Sequence, residues 1–467
     1  MNIENKEIQE LKLTIATLTK QLDDQTKQLN AQAKQIEKLL AQVDELKRRL
    51  SLNSTNSSKP PTSDGLSKKN KNRSLRETDS EKFGGQVGHK GNTLNQTDTP
   101  DNTIEYIPEK CDACGDALSD IAVDNIIERQ EVDIEVKKII TAHKAFVKVC
   151  RCGRKNTGTM PDRLKAPMQY GPHVRAMGTY LTNQFISKDR ISNIFQDLFG
   201  LSISDTTLMA FDKELANKLK PFNDTVLEAI IKAILKHLDE TGLRIAGKTH
   251  WVHVISTALL TYYRIDPKRG SMFKDIIGKI VHDHWKTYFT IKNVKHVLCN
   301  AHHLRELKAL IEIDKEEWAQ EMYDLLKDAS RLVKPPPKKQ EKISKKYDRI
   351  LKMGFIYHNK LGKFKKGKRK KRPGHNLLIR LRDFKTETLR FLYDPDVPFT
   401  NNLAERDLRM IKLKQKVSGS FRTIDGAHAF AACRSFISTV QKQGFNVFES
   451  ISAVFNNTFN SNSLRYV

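Results

Sequence analysis

The sequence predicts a multidomain α+β protein, in which an N-terminal coiled coil precedes smaller modules and one mixed α/β domain. Three observations lead to this prediction: a heptad pattern near the N-terminus, two pairs of closely spaced cysteines, and an alternation of strand-like and helix-like segments further along. The chain of 467 residues has room for about three folded units. The boundaries we expect are 1–50, 51–104, 105–165, 166–225 and 226–467, the last with an insertion at about 315–395.

The charge of the chain is strongly positive. Lysine and arginine number 81 against 55 aspartates and glutamates, which gives a formal net charge of +26 and a pI near 9.6. Such an excess indicates a polyanionic partner, most often DNA or RNA, although a membrane surface attracts basic chains as well. The mean hydropathy is −0.55, and no apolar run is long enough to span a bilayer. Because the first residues also lack a signal-peptide pattern, we expect a cytoplasmic protein without membrane association.

Residues 1–50 carry apolar side chains at alternating steps of three and four. With Ile8 at heptad position a and Leu11 at position d, only Gln25 and Gln32 interrupt the seam, and the segment has no Gly or Pro. So narrow a stripe buries its seam only against another helix. The alternative is a single amphipathic helix packed on its own domain. We favour a leucine zipper that joins chains into a homodimer or a higher oligomer.

Residues 51–104 differ in composition from the helix before them. They are rich in Ser, Asn, Thr, Lys and Gly, with too few apolar side chains to form a core. We therefore expect a flexible basic linker. Its glycine-rich segment 84–91 either brings the backbone, with His89 and Lys90, against DNA or serves only as linker.

Four of the six cysteines form two pairs. Cys111 and Cys114 are followed by Cys150 and Cys152, and a glycine comes directly after each pair. Thiolates in two such turns can converge on one structural zinc ion, and loose alternation over residues 126–149 predicts the two strands of a zinc ribbon between them. The alternative is a set of reduced structural cysteines. The other two cysteines are expected to be ordinary buried thiols: Cys299 and Cys433.

The pattern over residues 172–219 is helical. Apolar residues recur at helical spacing on both sides of Gly200, which ends one helix, and Ser204 or Asp205 can cap the next. A helix, a short glycine turn and a capped helix have the shape of a helix-turn-helix. Helical bundles contain the same corner, so it is the basic charge of the chain that favours DNA binding by residues 166–225.

The segment that follows alternates strands and helices. Strands are predicted at 234–240, 249–256 and 259–265, then a helix at about 271–277, strands at 279–283 and 294–299, and a helix at about 302–313. Three antiparallel strands followed by an α/β step are the order of an RNase H-like sheet. In that order, Asp239 at the end of the first strand and Asp283 at the end of the fourth lie side by side.

A third carboxylate is available on a helix near the C-terminus. Glu405 lies in the segment 400–409, which opens with a capping residue, and Asp407 could replace it on spacing alone. Two Mg²⁺ ions about 3.5–4 Å apart need such carboxylates for displacement at phosphorus. A single Asp at a strand end is more often a turn or capping residue, so the residues alone leave the triad open.

Several short motifs follow one another along the chain. The zipper precedes residues 56–61 (NSSKPP), 84–91 (GGQVGHKG), the two cysteine pairs and residues 166–172 (APMQYGP). Residues 239–241 (DET), 281–285 (VHDHW), 300–307 (NAHHLREL) and 401–406 (NNLAER) complete the series. In this order the motifs resemble the transposases of the IS66 family of bacterial insertion sequences, over essentially the whole chain.

The resemblance implies a DDE transposase in which Asp239, Asp283 and Glu405 bind two Mg²⁺ ions, or Mn²⁺ in their place, and it favours Glu405 over Asp407. It implies that the protein binds the ends of the element, cuts DNA and joins the new 3′-OH to target DNA. The alternatives are a catalytically inactive DNA-binding regulator and an RNase H-fold nuclease without strand transfer. Besides DNA and a second copy of the chain, we expect companion proteins of the same element as partners, in the nucleoid of a bacterial cytoplasm.

The 121 residues between Asp283 and Glu405 are many for an RNase H-like domain. We expect a mainly helical insertion that ends in a basic arm, because residues 334–372 hold 17 basic and two acidic side chains. A solvated lysine face is the alternative, and the position beside the acids favours DNA contact. His302 and His303 hydrogen-bond the DNA, support the site or have a structural role. The residues expected to contact DNA are His89, Lys90, Lys365, Lys366, Lys368, Arg369, Lys370, Lys371, Arg372, Arg406 and Arg409.

Overall fold

A computed structural model describes residues 2–57, 94–270, 273, 275–361 and 372–466 of the chain. Helices and a mixed sheet occur together, so the predicted α+β class is confirmed. None of the described helices is long and apolar enough to cross a bilayer. The chain divides into two compact units, the larger from Met1–Lys71, Pro167–Ile191 and Ser204–Val467, the smaller from Asn72–Ala166 and Ser192–Ile203.

The N-terminal helix α1 (Asn2–Ser51) runs through the predicted heptads. Its length follows from a sequence of good helix formers without Gly or Pro. The apolar seam is solvent-exposed in the single chain, from 43% at Val43 to 81% at Leu50. Near its end, Arg48 pairs with Asp314 of the same unit at 3.1 Å, which anchors the helix.

In the smaller unit, β1 (Val147–Val149) and β2 (Lys155–Thr157) form an antiparallel hairpin. Of residues 126–149 only β1 is a strand, so the two predicted strands are wrong for most of that segment. The side chains that suggested alternation are exposed, as Ile127 and Ile134 show. Alternation specifies a strand only where another strand or a core takes up its apolar face, and nothing in the described smaller unit does so here.

The predicted helices on the two sides of Gly200 are confirmed. Gly200 has a φ of +61° after one helix, a left-handed geometry that ends helices, and Ser204 Oγ accepts from the Thr207 amide at 3.2 Å to cap the next. The helices of this segment are α2 (Pro172–Asn183), α3 (Lys188–Phe199), α4 (Asp205–Lys218) and α5 (Lys220–Lys232).

A five-stranded sheet lies in the larger unit, formed by β3 (Leu235–Ile245), β4 (Lys248–Ser256), β5 (Thr261–Asp266), β6 (Gly278–His282) and β7 (Val294–Leu298). The strand order is β5-β4-β3-β6-β7. The first three strands in sequence are antiparallel, whereas β6 and β7 run parallel to β3. The predicted strands and their order along the chain are therefore confirmed.

Two details of this region differ from the prediction. β3 continues past its acidic residues because a tight turn at Ala246 and Gly247, both with positive φ, folds the chain back into β4 and pairs the added length. The helix expected at about 271–277 is wrong for its described residues, which adopt no helix. Asp275 has a φ of +59° and Gly278 a φ of +82°, so the backbone leaves the helical region there.

Helices complete the larger unit after β7. α6 continues into a π-helical turn (Leu310–Asp314), and short 3₁₀ helices occur at Lys286–Thr290 and Ser461–Ser463. The α-helices are α6 (Asn300–Ala309), α7 (Glu317–Ser330), α8 (Pro337–Lys360), α9 (Pro373–Asp383), α10 (Lys385–Tyr393), α11 (Asn402–Ser418), α12 (Ile424–Lys442) and α13 (Val447–Asn456).

Helix α11 belongs to a different hydrophobic core from the helices that precede it. Helices α7 to α10 pack around a core of their own, which includes Trp318, Leu326, Tyr347 and Leu378. Helix α11 shares a different core with strands β3 to β5, which includes Leu243, Val254, Tyr263, Ala404 and Ile411. Apolar packing therefore fixes α11 on β3, and with it the position of the acids in its first turns.

Candidate active site

Asp239, Asp283 and Glu405 come from three different elements of the larger unit. Asp239 lies within β3, Asp283 directly follows β6, and Glu405 is in the first turn of α11. β3 and β6 are parallel neighbours with His237 opposite Val281, so the register continued by two residues places Asp239 beside Asp283. Because α11 packs on β3, the third acid approaches the same place.

Three other carboxylates affect the pKa of Asp239. Burial raises the pKa of Asp239 well above its ordinary value, and the charges of Asp283, Glu240 and Glu405 raise it further. A hydrogen bond of 2.9 Å from the Glu240 amide to Asp239 Oδ1 opposes the rise only in part. Mutual repulsion disfavours the anionic carboxylates, and a cation between them would relieve it.

Asp283 shares this environment but has more compensation. Burial raises its pKa, and the charge of Glu240 adds to the rise. The Trp285 amide donates to Asp283 Oδ1 at 2.9 Å, and this hydrogen bond lowers the pKa of Asp283. The electrostatic effects of His302 and Arg269 lower it as well. The Trp285 amide thus holds Asp283 as an acceptor directly after β6.

Glu405 divides its oxygens between different neighbours. Oε1 lies 3.8 Å from the Cys299 sulfur and 3.9 Å from His302 Nδ1, while Oε2 lies 3.6 Å from the Arg305 guanidinium. Burial and then the charge of Glu405 raise the pKa of Cys299 to about 12, and burial lowers the pKa of His302. Cys299 is buried as expected, but it contacts a candidate site residue, which its apolar sequence context did not indicate.

Asp407, two residues further along α11, has a different environment. Its Oδ2 accepts hydrogen bonds from Ser256 at 2.6 Å and from Thr261 at 3.2 Å, and it pairs with Lys442 at 2.8 Å. The side chain is only 8% exposed. Asp407 is therefore engaged in a neutralised structural network, which supports Glu405 as the third acid of the site.

Glu240 is a fourth carboxylate at the site that sequence reasoning missed. Its side chain is 1% exposed, pairs with Arg269 at 2.9 Å and accepts a hydrogen bond from the Tyr288 hydroxyl. The Arg269 guanidinium lies 3.6 Å from the Trp285 ring centroid and 4.7 Å from that of Trp251. The adjacent Asp239 was the only signal for Glu240, since its partners are distant in sequence.

Asn401 is a second residue that the sequence marked only as the start of a helix. It is buried, its Nδ2 donates to the Leu238 carbonyl at 2.8 Å, and its Oδ1 lies 2.9 Å from His237 Nδ1. Its own amide donates to the Cys299 sulfur at 3.1 Å. Asn401 thus connects the start of α11 to β3 next to Asp239.

The two adjacent histidines of α6 have different roles. His303 is buried, and its Nδ1 lies 3.0 Å from Asn300 Oδ1, which is the contact of a structural residue. His302 is at the site, and its Nδ1 is buried without a hydrogen-bond partner among the described residues. The contacts of His303 favour a structural role, whereas His302 lies beside Glu405 at the candidate site.

The four paired cysteines lie in two local turns of the smaller unit. The Cys111 amide donates to the Asp116 carbonyl at 2.9 Å, and the Cys150 amide to that of Arg154 at 2.8 Å. Backbone amides of Cys114 and Cys152 lower the pKa of Cys111 and Cys150 respectively, which favours the thiolate that zinc requires. Each turn therefore suits a metal.

Metal-binding side chains are grouped most tightly elsewhere. Among the described His, Cys, Asp and Glu residues, one group of three has ligand atoms that all lie within 4.8 Å of one another: Cys299, His302 and Glu405. Neither the four paired cysteines nor the three acids are drawn together to this extent within the described chain.

The residues expected to contact DNA are described only in part. Arg406 and Arg409 are exposed on α11, beside Glu405. Arg372 donates to the carbonyls of His358 at 3.3 Å and Leu361 at 2.7 Å. The remaining candidates fall outside the described residues: His89, Lys90, Lys365, Lys366, Lys368, Arg369, Lys370 and Lys371.

Comparison with known proteins places the chain among the transposases. The model of the IS66 family of transposases matches residues 168–429, more than half of the chain and all three acids. The chain therefore belongs to the IS66 transposase family, as its motifs predicted. A model of a family of unknown function matches residues 2–95. A curated relative, the uncharacterized protein y4jO of Sinorhizobium fredii, is 32% identical over 124 residues, which are 27% of this chain and 34% of that protein, so the chain spans about a third of its length.

Proposed function

We propose that the chain is the DDE transposase of an IS66-like insertion sequence, which binds the element's ends, cuts DNA strands and joins the new 3′-OH to target DNA. The observation that carries the proposal is the approach of Asp239, Asp283 and Glu405 from β3, β6 and α11, with the pKa of Asp239 raised by its acidic neighbours. The strand order β5-β4-β3-β6-β7, three antiparallel strands beside two parallel ones, supports an RNase H-like catalytic domain.

The acids fit two divalent cations, Mg²⁺ or Mn²⁺, because such ions prefer carboxylate oxygens and offset the repulsion among them. When bound, the ions activate the attacking oxygen and stabilise the leaving oxygen of an in-line displacement at phosphorus. Asp239 and Asp283 would hold the ions from adjacent strands and Glu405 from α11.

DNA would bind along the basic surfaces of the chain. Arg406 and Arg409 are exposed beside Glu405 and can meet the phosphates next to the reacting one. The helices α2 to α4, the glycine-rich linker segment and the basic arm at residues 363–372 would contribute further contacts. Such phosphate contacts make DNA binding strongly dependent on salt, whatever the sequence bound.

Assembly would involve two further modules. The exposed heptad seam of α1 supports a coiled coil that joins two or more copies, so that one assembly holds both ends of the element. The two cysteine turns support a structural zinc ion, whose binding would draw Cys111, Cys114, Cys150 and Cys152 together. We propose the bacterial nucleoid as the place of action, with companion proteins of the element as additional partners.

One assay tests the proposal. The full-length protein is incubated with labelled insertion-sequence ends, a target plasmid and Mg²⁺, beside the variants Asp239→Asn, Asp283→Asn and Glu405→Gln. Asp425→Asn, an exposed acid at the start of α12, is the matched control. We expect cleavage and joining by the parent and the control, and loss of both, with DNA binding retained, in the three variants.

The other outcomes identify the alternatives. End binding without cleavage by the parent would indicate a DNA-binding regulator, and cleavage without joining would indicate a nuclease. Activity that survives all three substitutions would show that these acids are not the site.

A further inference from the structure

A second cluster of metal-binding side chains adjoins the acids. Cys299 immediately follows β7, His302 is in the first turn of α6, and Glu405 is in the first turn of α11. Cys299 and His302 are three positions apart at the start of a helix, so their side chains project to the same side. Apolar packing fixes both helices, and the cluster is therefore built by the fold rather than by chance approach of mobile side chains.

The spacing of the ligand atoms suits one tetrahedral ion. Zinc–sulfur bonds of about 2.3 Å and zinc–oxygen or zinc–nitrogen bonds of about 2.0 Å place tetrahedral ligand atoms about 3.3–3.5 Å apart. Glu405 Oε1 lies 3.8 Å from Cys299 Sγ and 3.9 Å from His302 Nδ1, and all three atoms fall within 4.8 Å of one another. To close the site, the two contacts of Glu405 Oε1 must shorten by a few tenths of an ångström, and Cys299 Sγ and His302 Nδ1, which lie within 4.8 Å, must approach by up to about 1.3 Å. Small rotations of the three side chains supply both movements.

The surroundings point to a ligand as well. His302 Nδ1 is buried without a hydrogen-bond partner among the described residues, next to Glu405 Oε1. The Asn401 amide donates to Cys299 Sγ at 3.1 Å, which offsets in part the burial that favours the neutral thiol, and the Arg305 guanidinium lies 3.6 Å from Oε2, the other oxygen of Glu405. Thiolate and imidazole ligands select soft or borderline ions such as Zn²⁺ and Co²⁺ and disfavour Mg²⁺.

We propose that Cys299, His302 and Glu405 bind one soft divalent cation of the zinc class, and that its binding withdraws Glu405 from Asp239 and Asp283. On binding, the Cys299 thiol releases its proton to water, and sulfur, nitrogen and oxygen each donate an electron pair to the ion, with water as the fourth ligand. The ion is thus an inhibitor that competes for Glu405. The binding site stands on the geometry alone, whereas the inhibition rests on the proposed transposase function.

Cobalt binding by the full-length protein tests the site directly, because Co²⁺ bound to a thiolate gives a charge-transfer absorption that carboxylate sites lack. The four paired cysteines contribute equally in every variant, so the comparison is between Cys299→Ser and the matched buried cysteine Cys433→Ser. We expect the absorption and the Co²⁺ stoichiometry to fall in Cys299→Ser, to remain at the parent value in Cys433→Ser, and the affinity of this site to fall at least about tenfold in His302→Gln.

An absorption and stoichiometry equal to the parent's in Cys299→Ser, or a Co²⁺ affinity equal to the parent's in His302→Gln, would overturn the proposal. If circular dichroism shows that Cys299→Ser does not fold, His302→Gln alone decides, since its side chain is partly exposed and of similar size.

Zinc titration of Mg²⁺-dependent cleavage tests the inhibition, with each variant compared with its own rate without zinc. We expect the half-inhibiting zinc concentration to rise at least about tenfold in His302→Gln and to stay unchanged in Cys433→Ser. Zinc inhibition that is the same in all variants would place the inhibitory ion elsewhere. A parent without cleavage activity would refute the proposed function and leave the cobalt result standing.

Discussion

Helix α11 carries two carboxylates in opposite circumstances. Asp407 is buried with two hydroxyl donors and Lys442 within 3.2 Å, whereas Glu405 approaches the acids of β3 and β6 and meets a guanidinium only at 3.6 Å. The structural acid is neutralised by the chain itself. The acids around Asp239 repel one another, which raises the free energy of the metal-free site. Asp407 and Glu405 therefore differ in how closely the chain supplies a cation and hydrogen-bond donors to each carboxylate.

The largest effect should come from removal of the Asp407 charge. Asp407→Asn leaves the buried Lys442 ammonium without its counter-ion, and we expect a loss of about 3–5 kcal/mol in the free energy of unfolding. Glu405→Gln, the matched substitution on the same helix, should change it by less than about 1 kcal/mol. Thermal unfolding of the two variants measures both. Equal destabilisation by Asp407→Asn and Glu405→Gln would contradict a structural role for Asp407 that Glu405 lacks.

Divalent cations should stabilise the folded protein through the acids around Asp239 and not through Asp407. Mg²⁺ at about one hundred times its dissociation constant should raise the free energy of unfolding of the parent by about 2.7 kcal/mol. Asp239→Asn should abolish the gain, while Asp407→Asn should keep it from a lower starting stability. Melting temperature against Mg²⁺ concentration is the measurement, and a gain that persists in Asp239→Asn would place the bound ions elsewhere.

The sequence predicted the mixed fold and most of the elements around these acids, because their apolar periodicity reflects the core that they share. Spacing alone could not separate Glu405 from Asp407, since the choice depends on which partners β4, β5 and α12 bring from distant parts of the chain. The resemblance to a family made that choice, and the contacts of Asp407 support it. The strands expected over residues 126–149 show the opposite case. There the apolar periodicity has no partner strand or core, and most of the segment forms no strand.

Asn401 and Glu240 were not predictable as site residues because their partners also lie in distant parts of the chain. Asn401 has the appearance of a helix cap in the sequence, but its function depends on a carbonyl and an imidazole of β3, more than 160 positions earlier. Glu240 likewise depends on Arg269 and Tyr288. These contacts are set by the register of the sheet and the docking of α11, which no local pattern specifies.

Asn401→Ala should reveal how far the site depends on that anchoring. The substitution leaves the Leu238 carbonyl without its donor, so we expect a loss of about 1–3 kcal/mol in the free energy of unfolding. Because Glu405 would shift relative to Asp239, the cleavage rate at saturating DNA should fall more than DNA affinity does. Asn401→Asp keeps the side-chain acceptor but removes its donor, so its free energy of unfolding and its cleavage rate should lie between those of the parent and Asn401→Ala. A fall in affinity alone would argue against a positioning role.

Glu316 is a further buried carboxylate that can be compared with Asp407. It is buried and accepts hydrogen bonds from Trp318 Nε1 at 2.6 Å, as Asp407 does from hydroxyls, but its nearest basic contact is His358 at 3.2 Å rather than a lysine. Burial raises the pKa of Glu316 to about 7 from an ordinary value of 4.5, and burial also lowers the pKa of His358 to about 4, so the histidine supplies no permanent charge. The Trp318 hydrogen bond and the charges of Arg48 and Arg372 lower the pKa of Glu316 without cancelling the effect of burial, so this carboxyl keeps its proton below about pH 7.

This proton should give the protein a measurable pH dependence of about 1–3 kcal/mol. Between pH 4.5 and about 7 the folded state retains a proton that the unfolded state releases, so the contribution of Glu316 to stability is complete below pH 4.5 and is lost as the pH rises towards 7. The lowered pKa of His358 acts in the opposite direction, but it is common to the parent and to Glu316→Gln and largely cancels between them. The melting temperature of the parent relative to Glu316→Gln should therefore fall over this range, whereas Glu341→Gln, an exposed glutamate of α8, should run parallel to the parent. Parallel curves for Glu316→Gln as well would mean that the Trp318 hydrogen bond and the more distant charges of Arg48 and Arg372 suffice to keep a buried carboxylate ionised. A directly paired lysine would then not explain how Asp407 differs from the acids of the site.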